Sequence, residues 1–149
     1  MPDPRAVEAY DPNIAAAFLK ANERLQGLPA FLGVRFTEFQ PGVLRAELEV
    51  RDELLTPFKN LHGGVLSAVC DHVLGCVCYP HMKRGQWAAT TEFKLNLLAP
   101  VTKGKVSAEA EIVSLTRATA VVRIQVENEG RLAAIAQGTV LIRDPKPSS

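Results

Sequence analysis

A helical hydrophobic pattern opens the ordered part of the chain. In residues 12–26 the apolar positions recur at helical spacing, and three of them can share one stripe: Ile14, Phe18 and Leu25. Proline suits a first helical turn and glycine suits the residue after the last one, so Pro12 and Gly27 bound the predicted helix. The polar residues 1–11 before it are typical of a loose leader.

A period of two predicts strands in most of the remaining chain. Segments 31–39 and 43–50 flank a turn at Pro41 and Gly42, and in the second segment apolar and charged side chains alternate. Four further predicted strands are separated by turn residues: 90–98, 105–115, 119–127 and 132–143. A short hairpin loop at 128–130 joins the last two of them.

Residues 65–79 differ from every other segment because they are apolar nearly all round. Such a pattern predicts a helix buried on most sides, which Pro80 ends. Six strands joined mostly by hairpins imply an antiparallel sheet. We therefore expect an α+β fold, with a curled six-stranded antiparallel sheet around one long buried helix and an extra N-terminal helix. The predicted divisions are a leader and helix (1–29), one domain (30–144) and a disordered tail (145–149).

Composition narrows the class of protein and of partner. The 149 residues are 22% charged with a net charge of +1, which fits one globular domain and gives no support to nucleic acid as a partner. We find no secretory h-region and no apolar run approaching the ~18 residues of a membrane span, so no membrane partner is expected. The spacing of Cys70, Cys76 and Cys78 suits neither disulfides nor zinc. It favours buried thiols, no metal and a cytoplasmic location.

One carboxylate, Asp71, interrupts the apolar helix. Helical steps of three and four place it on a small, polar stripe with Gly64, Ser67 and Gly75, which leaves room beside it for another molecule. The first N–H groups of the helix, near Gly63, lack intrahelical partners and carry the positive end of the helix dipole. Together, N–H groups that can hold a carbonyl oxygen and a carboxylate base or nucleophile indicate acyl transfer.

The spacing leaves alternatives open. Gly63 and Asp71 lie roughly 12 Å apart along the helix axis, which favours a site shared between two subunits over one within a single chain. Alternatively, Asp71 is a buried polar group that hydrogen-bonds Ser67 or a neighbouring loop. His62 either takes a direct chemical role or caps the helix and braces the preceding loop. Ser67 lacks the motif of a nucleophilic serine.

Three segments carry a family resemblance: LHGGVLSAVCD at 61–71, TTEFKLNLLAP at 90–100 and LAAIAQGTV at 132–140. Over about residues 30–143 the chain resembles the hotdog-fold acyl-CoA thioesterases, in particular the PaaI-like (phenylacetyl-CoA thioesterase type) branch. The resemblance implies hydrolysis of acyl-CoA to free acid and CoA, with no cofactor and a role in fatty acid metabolism. It also implies homodimers, usually paired into tetramers, in which the acid of one subunit faces the helix N-terminus of the other.

The resemblance also assigns roles to residues. The predicted catalytic residues are Asp71, Gly63, Thr90 and His62. Asp71 would activate water or attack the carbonyl, the Gly63 N–H would polarise that carbonyl, and Thr90 would orient the water. The predicted substrate-binding residues are Asn60, Gly64, Ser67 and Thr56. Many relatives carry Asn or Gln at the position of Thr56, and Asn60 is an out-of-register substitute for it.

Contacts to coenzyme A carried over from the family fall in three places: Pro100, Val101 and Thr102; Thr116, Arg117, Ala118 and Thr119; and Arg143. Arg117 and Arg143, with Lys103 and Lys105, are candidates for phosphate contacts or else solvated turn charges. Two other functions stay open. One is a hydratase or dehydratase acting on enoyl or hydroxyacyl thioesters, and the other is a non-catalytic acyl-CoA-binding module, which the departure at Thr56 favours.

Overall fold

Six β-strands form one antiparallel sheet within residues 1–147, the part of the chain that the computed structural model describes. The strands are β1 (Arg35–Gln40), β2 (Val43–Glu49), β3 (Trp87–Leu97), β4 (Lys105–Leu115), β5 (Thr119–Asn128) and β6 (Arg131–Arg143). Their order in the sheet is β1-β2-β4-β5-β6-β3, so β1 and β3 are the edges. Of the predicted tail, residues 148 and 149 lie outside the described residues.

In the described part of the chain, four α-helices accompany the sheet: α1 (Pro4–Ala9), α2 (Pro12–Lys20), α3 (Gly27–Leu32) and α4 (Gly63–Cys76). Short 3-10 turns occupy Ala21–Arg24, Asp52–Leu54 and Tyr79–His81. The long helix α4 packs against β2 to β6, and His72 of α4 also stacks on Phe36 of β1. The predicted α+β architecture, an antiparallel six-stranded sheet around one long helix, is confirmed.

Helix α4 supplies much of the core. Its buried side chains are Leu66, Val69, Cys70, Val73 and Leu74. In β6, Gly138 permits a close approach of this helix, since a Cβ there would lie 2.6 Å from Cδ1 of Leu74. The predicted helix at 65–79 thus begins two residues earlier, and its last residues form a turn that contains Pro80.

The segment Gly63–His81 corrects one expectation about apolar runs. Its 19 residues are long and apolar enough to cross a membrane, contrary to the prediction that no run approaches that length. However, half of the most apolar stretch within this segment is buried inside the protein, and α4 packs against the sheet. Core helices of globular proteins pass the same test of length and composition.

The outer face of the sheet carries paired charges. Arg45 of β2 pairs with Glu109 of β4 at 2.7 Å and also with Glu38 of β1. Arg123 of β5 pairs with Glu111 of β4 at 3.0 Å. A concavity of about 330 Å³ on this face, lined partly by Arg45 and Glu109, therefore offers no free cation to a ligand.

The N-terminal residues are packed against the sheet, so the prediction of a loose leader at 1–11 is wrong. The side chain of Asp3 is buried, and it accepts hydrogen bonds from the N–H of Leu115 at 3.0 Å and from Arg5. These bonds, that from the Arg5 side chain above all, hold the pKa of Asp3 well below its usual range. The sequence did not indicate this packing, because the N-terminal segment is short and polar and the end of β4, which it contacts, is distant in sequence.

His81 fixes the same N-terminal segment to the turn between β1 and β2. Its Nε2 accepts a hydrogen bond from the N–H of Gly42 at 3.2 Å, so its Nδ1 carries the proton donated to the carbonyl of Ala6 at 2.8 Å. Burial lowers the pKa of His81, which keeps the imidazole neutral, as these two bonds require.

The single helix predicted at 12–26 is divided. Helix α2 ends at Lys20, and Gly27 begins α3 rather than ending a helix. The strand predicted from residue 31 therefore begins only at Arg35. Gly33, with φ of 78°, ends α3 in the left-handed conformation that glycine favours. Helix α3 also crosses the predicted boundary at residues 29 and 30.

Candidate active site

The start of α4 presents an unpaired backbone N–H. His62 caps the helix, because its Nδ1 accepts the N–H of Gly64 at 2.8 Å and its carbonyl accepts the N–H of Val65 at 2.9 Å. The N–H of Gly63 makes no hydrogen bond to an acceptor among residues 1–147. A Cβ at Gly63 would lie 2.9 Å from Cδ1 of Leu97, so glycine lets the helix start approach β3.

Asp71 lies exposed on α4, two turns further along. It forms no ion pair and no side-chain hydrogen bond with any described residue, so the alternative in which it bonds Ser67 is not what the structure shows. An open groove of about 480 Å³ separates it from β3; we call this the Asp71 groove. Its lining residues are Gly64, Ser67, Ala68, Asp71, Thr90, Thr91, Glu92 and Phe93.

Thr90 faces the helix side of the sheet because of a β-bulge. It is paired with Val140 of β6, which is fully buried, and directly opposed residues project from the same face. The register shifts between Thr90 and Glu92, so Glu92 pairs with Thr139. The hydroxyl of Thr91 donates to the carbonyl of Thr139 at 3.1 Å. Thr90 therefore shares the groove of Asp71, as the resemblance implies.

Gly63 lines a different concavity from Asp71. This second one, about 290 Å³, includes Asn60, Gly63, Leu97 and Pro100. Within one chain the two predicted catalytic groups thus stay apart, as their spacing along the helix indicates. The hydroxyl of Thr56 donates to Oδ1 of Asn60 at 3.0 Å, so Thr56 orients the amide that stands beside Gly63.

The predicted CoA-binding residues lie at opposite ends of the sheet in one chain. Arg143 pairs with Trp87, and the N–H of Ile142 donates to the carbonyl of Ala118, so the loop at 116–118 and Arg143 share one end. Pro100 and its neighbours lie at the other end, where the carbonyl of Val101 accepts the N–H of Leu61. Lys105 begins β4 at this second end and pairs with Glu47 at 3.1 Å, so it is not a neighbour of Arg117.

Burial also changes the pKa values of the cysteines in α4 and in the turn after it. It raises the pKa of the Cys70, Cys76 and Cys78 thiols to about 12, so all three stay protonated at neutral pH. Among residues 1–147 no group of three or more His, Cys, Asp or Glu side chains is arranged to hold a metal ion. His72, which was not among the predicted site residues, lines a further concavity beside Asp71.

Several groove residues were missed by reasoning from sequence. Thr91, Glu92, Phe93 and Ala68 line the Asp71 groove but lie outside the predicted set. The helical step from Gly64 to Ala68 was the signal for Ala68. No periodic signal marks the β3 residues, because the bulge changes which face they present.

Comparison with known proteins places the chain in a family. The family model for the thioesterase superfamily matches residues 58–135, which include α4 and most of the sheet. The chain belongs to the thioesterase superfamily. As a member of this superfamily it is a thioester hydrolase, and its fold is the hotdog fold, as the sequence predicted.

Individual relatives of this thioesterase agree with that assignment. It is 26% identical to a 1,4-dihydroxy-2-naphthoyl-CoA hydrolase of Listeria monocytogenes, over 78% of this chain and 96% of the relative. It is 29% identical to the proofreading thioesterase EntH of Klebsiella pneumoniae, over 73% and 79%. The solved structure of the E. coli PaaI protein, from the phenylacetic acid degradation operon, superposes with a TM-score of 0.80 at 19% identity, covering 89% and 96%. At this identity the likeness to PaaI concerns the fold.

Proposed function

We propose that this thioesterase hydrolyses acyl-CoA to the free acid and CoA at a site built by two protomers, with Asp71 as general base or nucleophile. One observation carries the proposal: Asp71 is exposed in a groove and has no partner among residues 1–147, on a helix whose other side chains are mostly buried or half-buried. A carboxylate without a structural partner in a groove is available to a substrate.

The proposed chemistry divides between the carboxylate and the helix start. The unpaired N–H of Gly63 and the helix dipole stabilise the oxyanion that forms on the thioester carbonyl. Asp71 takes a proton from water as that water attacks the carbonyl carbon, or attacks the carbon itself. Thr90 orients the water. The C–S bond then breaks, and in the general-base route the leaving CoA thiolate takes up the proton that Asp71 removed from water. In the nucleophilic route the acyl group is left on Asp71 as an anhydride, which water hydrolyses to the free acid and the Asp71 carboxylate, while one of the protons from water goes to the thiolate. Water is the co-reactant, and no cofactor is needed.

The proposed dimer forms through β3. This strand is an edge of the sheet, and both of its ends carry exposed apolar side chains, Trp87 and Leu97. Gly63 lies against Leu97, whereas Asp71 shares a groove with Thr90, so α4 runs antiparallel to β3. A two-fold axis that pairs β3 with its copy reverses the strand. The Gly63 end of one protomer then approaches Asp71 of the other.

The same symmetry accounts for the separated CoA contacts. Pro100–Thr102 and Arg143 lie at opposite ends of one sheet, and antiparallel pairing of the β3 strands brings one end of each protomer to the opposite end of its copy. We propose that CoA lies across this junction, with Arg117 and Arg143 at its phosphates. We also propose a reducing, cytoplasmic location, which the free Cys70, Cys76 and Cys78 favour.

Release of free CoA thiol from a panel of acyl-CoAs tests the proposal. Asp71→Asn should lower kcat at least about a hundredfold, because a positioned base typically contributes that much or more. Its folding should be unchanged, since the Asp71 side chain makes no hydrogen bond or ion pair with residues 1–147. Asp52→Asn is the matched control, because Asp52 is also exposed and unpaired but lies in the turn before α4. Tight acyl-CoA binding without thiol release from any of the panel would instead identify a binding module.

A further inference from the structure

One imidazole joins three parts of the chain that are distant in sequence. His81, in the turn after α4, is only 7% exposed. Its Nε2 accepts the N–H of Gly42 between β1 and β2 at 3.2 Å, and its Nδ1 donates to the carbonyl of Ala6 in α1 at 2.8 Å. The ring also contacts that of Tyr10, with centroids 5.5 Å apart, and the Tyr10 hydroxyl donates to the carbonyl of Phe39 at 2.9 Å. His81 therefore fastens the N-terminal segment to the end of β1, an edge strand of the sheet.

Both hydrogen bonds of the ring require the neutral imidazole. The Nε2 that accepts the N–H of Gly42 must carry a lone pair, whereas an imidazolium has an N–H at each nitrogen and no acceptor. Protonation would therefore turn Nε2 into a donor that faces the N–H of Gly42. Two donors without an acceptor, one of them charged, are costly in a buried site, so the protonated ring and the turn at Gly42 must separate.

The surroundings of His81 supply no counter-charge. The titratable side chains on the elements packed around it are Asp3, Arg5 and Glu8 of α1, Tyr10, Asp11 at the N-cap of α2, Lys20 of α2, Cys78 and Tyr79 of its own turn, and Lys83 after that turn. Within residues 1–147 none of these side chains forms a hydrogen bond or an ion pair with the ring. Burial accordingly lowers the pKa of His81, and the bond to Ala6 opposes this lowering only in part.

Asp3 attaches the beginning of the same segment in a way that mild acid does not affect. Its carboxylate accepts the N–H of Leu115 at 3.0 Å and pairs with Arg5 at 2.8 Å. These bonds, that from the Arg5 side chain above all, hold the pKa of Asp3 well below its usual range, so Asp3 stays ionised where a histidine titrates. The segment thus has one attachment that is insensitive to mild acid and one that requires a neutral imidazole.

We propose that His81 is a proton-sensitive latch: mild acid releases the end of α1 from the turn between β1 and β2, while Asp3 keeps its beginning on β4. When the latch opens, the imidazole reaches water and regains the ordinary histidine pKa of about 6.5. The open state then binds more protons than the closed state, so the latch is most stable above that pH and opens more readily as the pH falls through it. Opening uncovers Gly42 and the carbonyl of Phe39 at the end of the β1 edge. The inference does not depend on the proposed function.

Hydrogen exchange of the Gly42 amide tests the latch directly, because this N–H donates to Nε2 of His81. In the whole protein we expect its protection factor, corrected for the intrinsic exchange rate, to fall by up to about tenfold between about pH 7.5 and about pH 5.5. The Leu115 amide, which bonds Asp3, should keep its protection over the same range. An equal loss of protection at Leu115 would show general unfolding and overturn the inference, as would unchanged protection of Gly42.

Two matched variants distinguish His81 from another histidine. His81→Gln keeps a donor and an acceptor but does not titrate, so the pH dependence of Gly42 protection should disappear. His72→Gln removes a half-buried histidine of α4 and should retain that dependence. The ring nitrogen chemical shifts of wild-type His81 give a further test that needs no variant, since their titration midpoint should lie below about pH 6.5. A midpoint at or above that value, or an undiminished pH dependence in His81→Gln, would show that His81 is not the latch.

Discussion

His62 shows how one side chain can serve the helix and the chemistry together. By accepting the N–H of Gly64 it occupies one of the donors at the start of α4 and leaves that of Gly63 unpaired. A Cβ at Gly64 would lie 2.9 Å from Nδ1 of His62, so the glycine and the histidine cap belong together. The motif therefore contains His62 and Gly64, which together form the helix cap, on either side of Gly63, the proposed oxyanion donor.

Substitution at His62 separates its two roles. His62→Ala should lower the free energy of unfolding by about 1 kcal/mol, because the N-cap is lost. For a chain of this size that corresponds to a melting temperature roughly 2–4 °C lower. His62→Asn should restore the cap, since asparagine is a favoured N-cap residue. If His62→Asn recovers stability and thiol release together, His62 acts through capping, whereas recovered stability with lost kcat would show a direct chemical role.

At the scale of the element, the bulge in β3 decides which threonine faces the helix side of the sheet. Thr90→Val should lower kcat roughly tenfold, because it removes a hydroxyl from the lining of the Asp71 groove while keeping the shape of the side chain. Thr91→Val is the matched control, since its hydroxyl bonds the carbonyl of Thr139 instead. Steady-state thiol release measures both. An equal loss of kcat in the two variants would contradict the assignment of Thr90.

The same element shows where prediction from sequence succeeds and where it stops. Alternation of side chains predicted β4 and β5 almost to the residue, because burial on one face enforces a period of two. That period alone would put Thr90 on the face of Glu92 and Lys94, and only the bulge turns it towards α4. Helix α3 was missed because Gly27 and Gly33 bound a run too short for a helical period.

At the scale of the whole molecule, a site within a single chain does not explain the distance between Gly63 and Asp71. The two residues line different concavities, and no rearrangement of a regular helix would bring them together. The motif LHGGVLSAVCD predicted both groups and their distance from sequence. The His72 ring stack was not predicted, because it depends on packing between α4 and β1.

Complementation between two inactive variants tests whether the site spans two protomers. Gly63→Pro deletes the N–H but suits the first helical position, and His62 already has the extended backbone, φ −62° and ψ 132°, that precedes proline. Gly63→Pro and Asp71→Asn should each lose nearly all activity. When the two variants are unfolded together in equal amounts and refolded, half of the dimers should be mixed. Each mixed dimer has one intact site of two, so about a quarter of wild-type activity should return.

Gly63→Ala, which keeps the N–H but adds the same Cβ beside Leu97, should remain active. If mixed dimers form, as tagged subunits would report, and activity does not return, then Asp71 and Gly63 act within one chain and the two-protomer site is wrong.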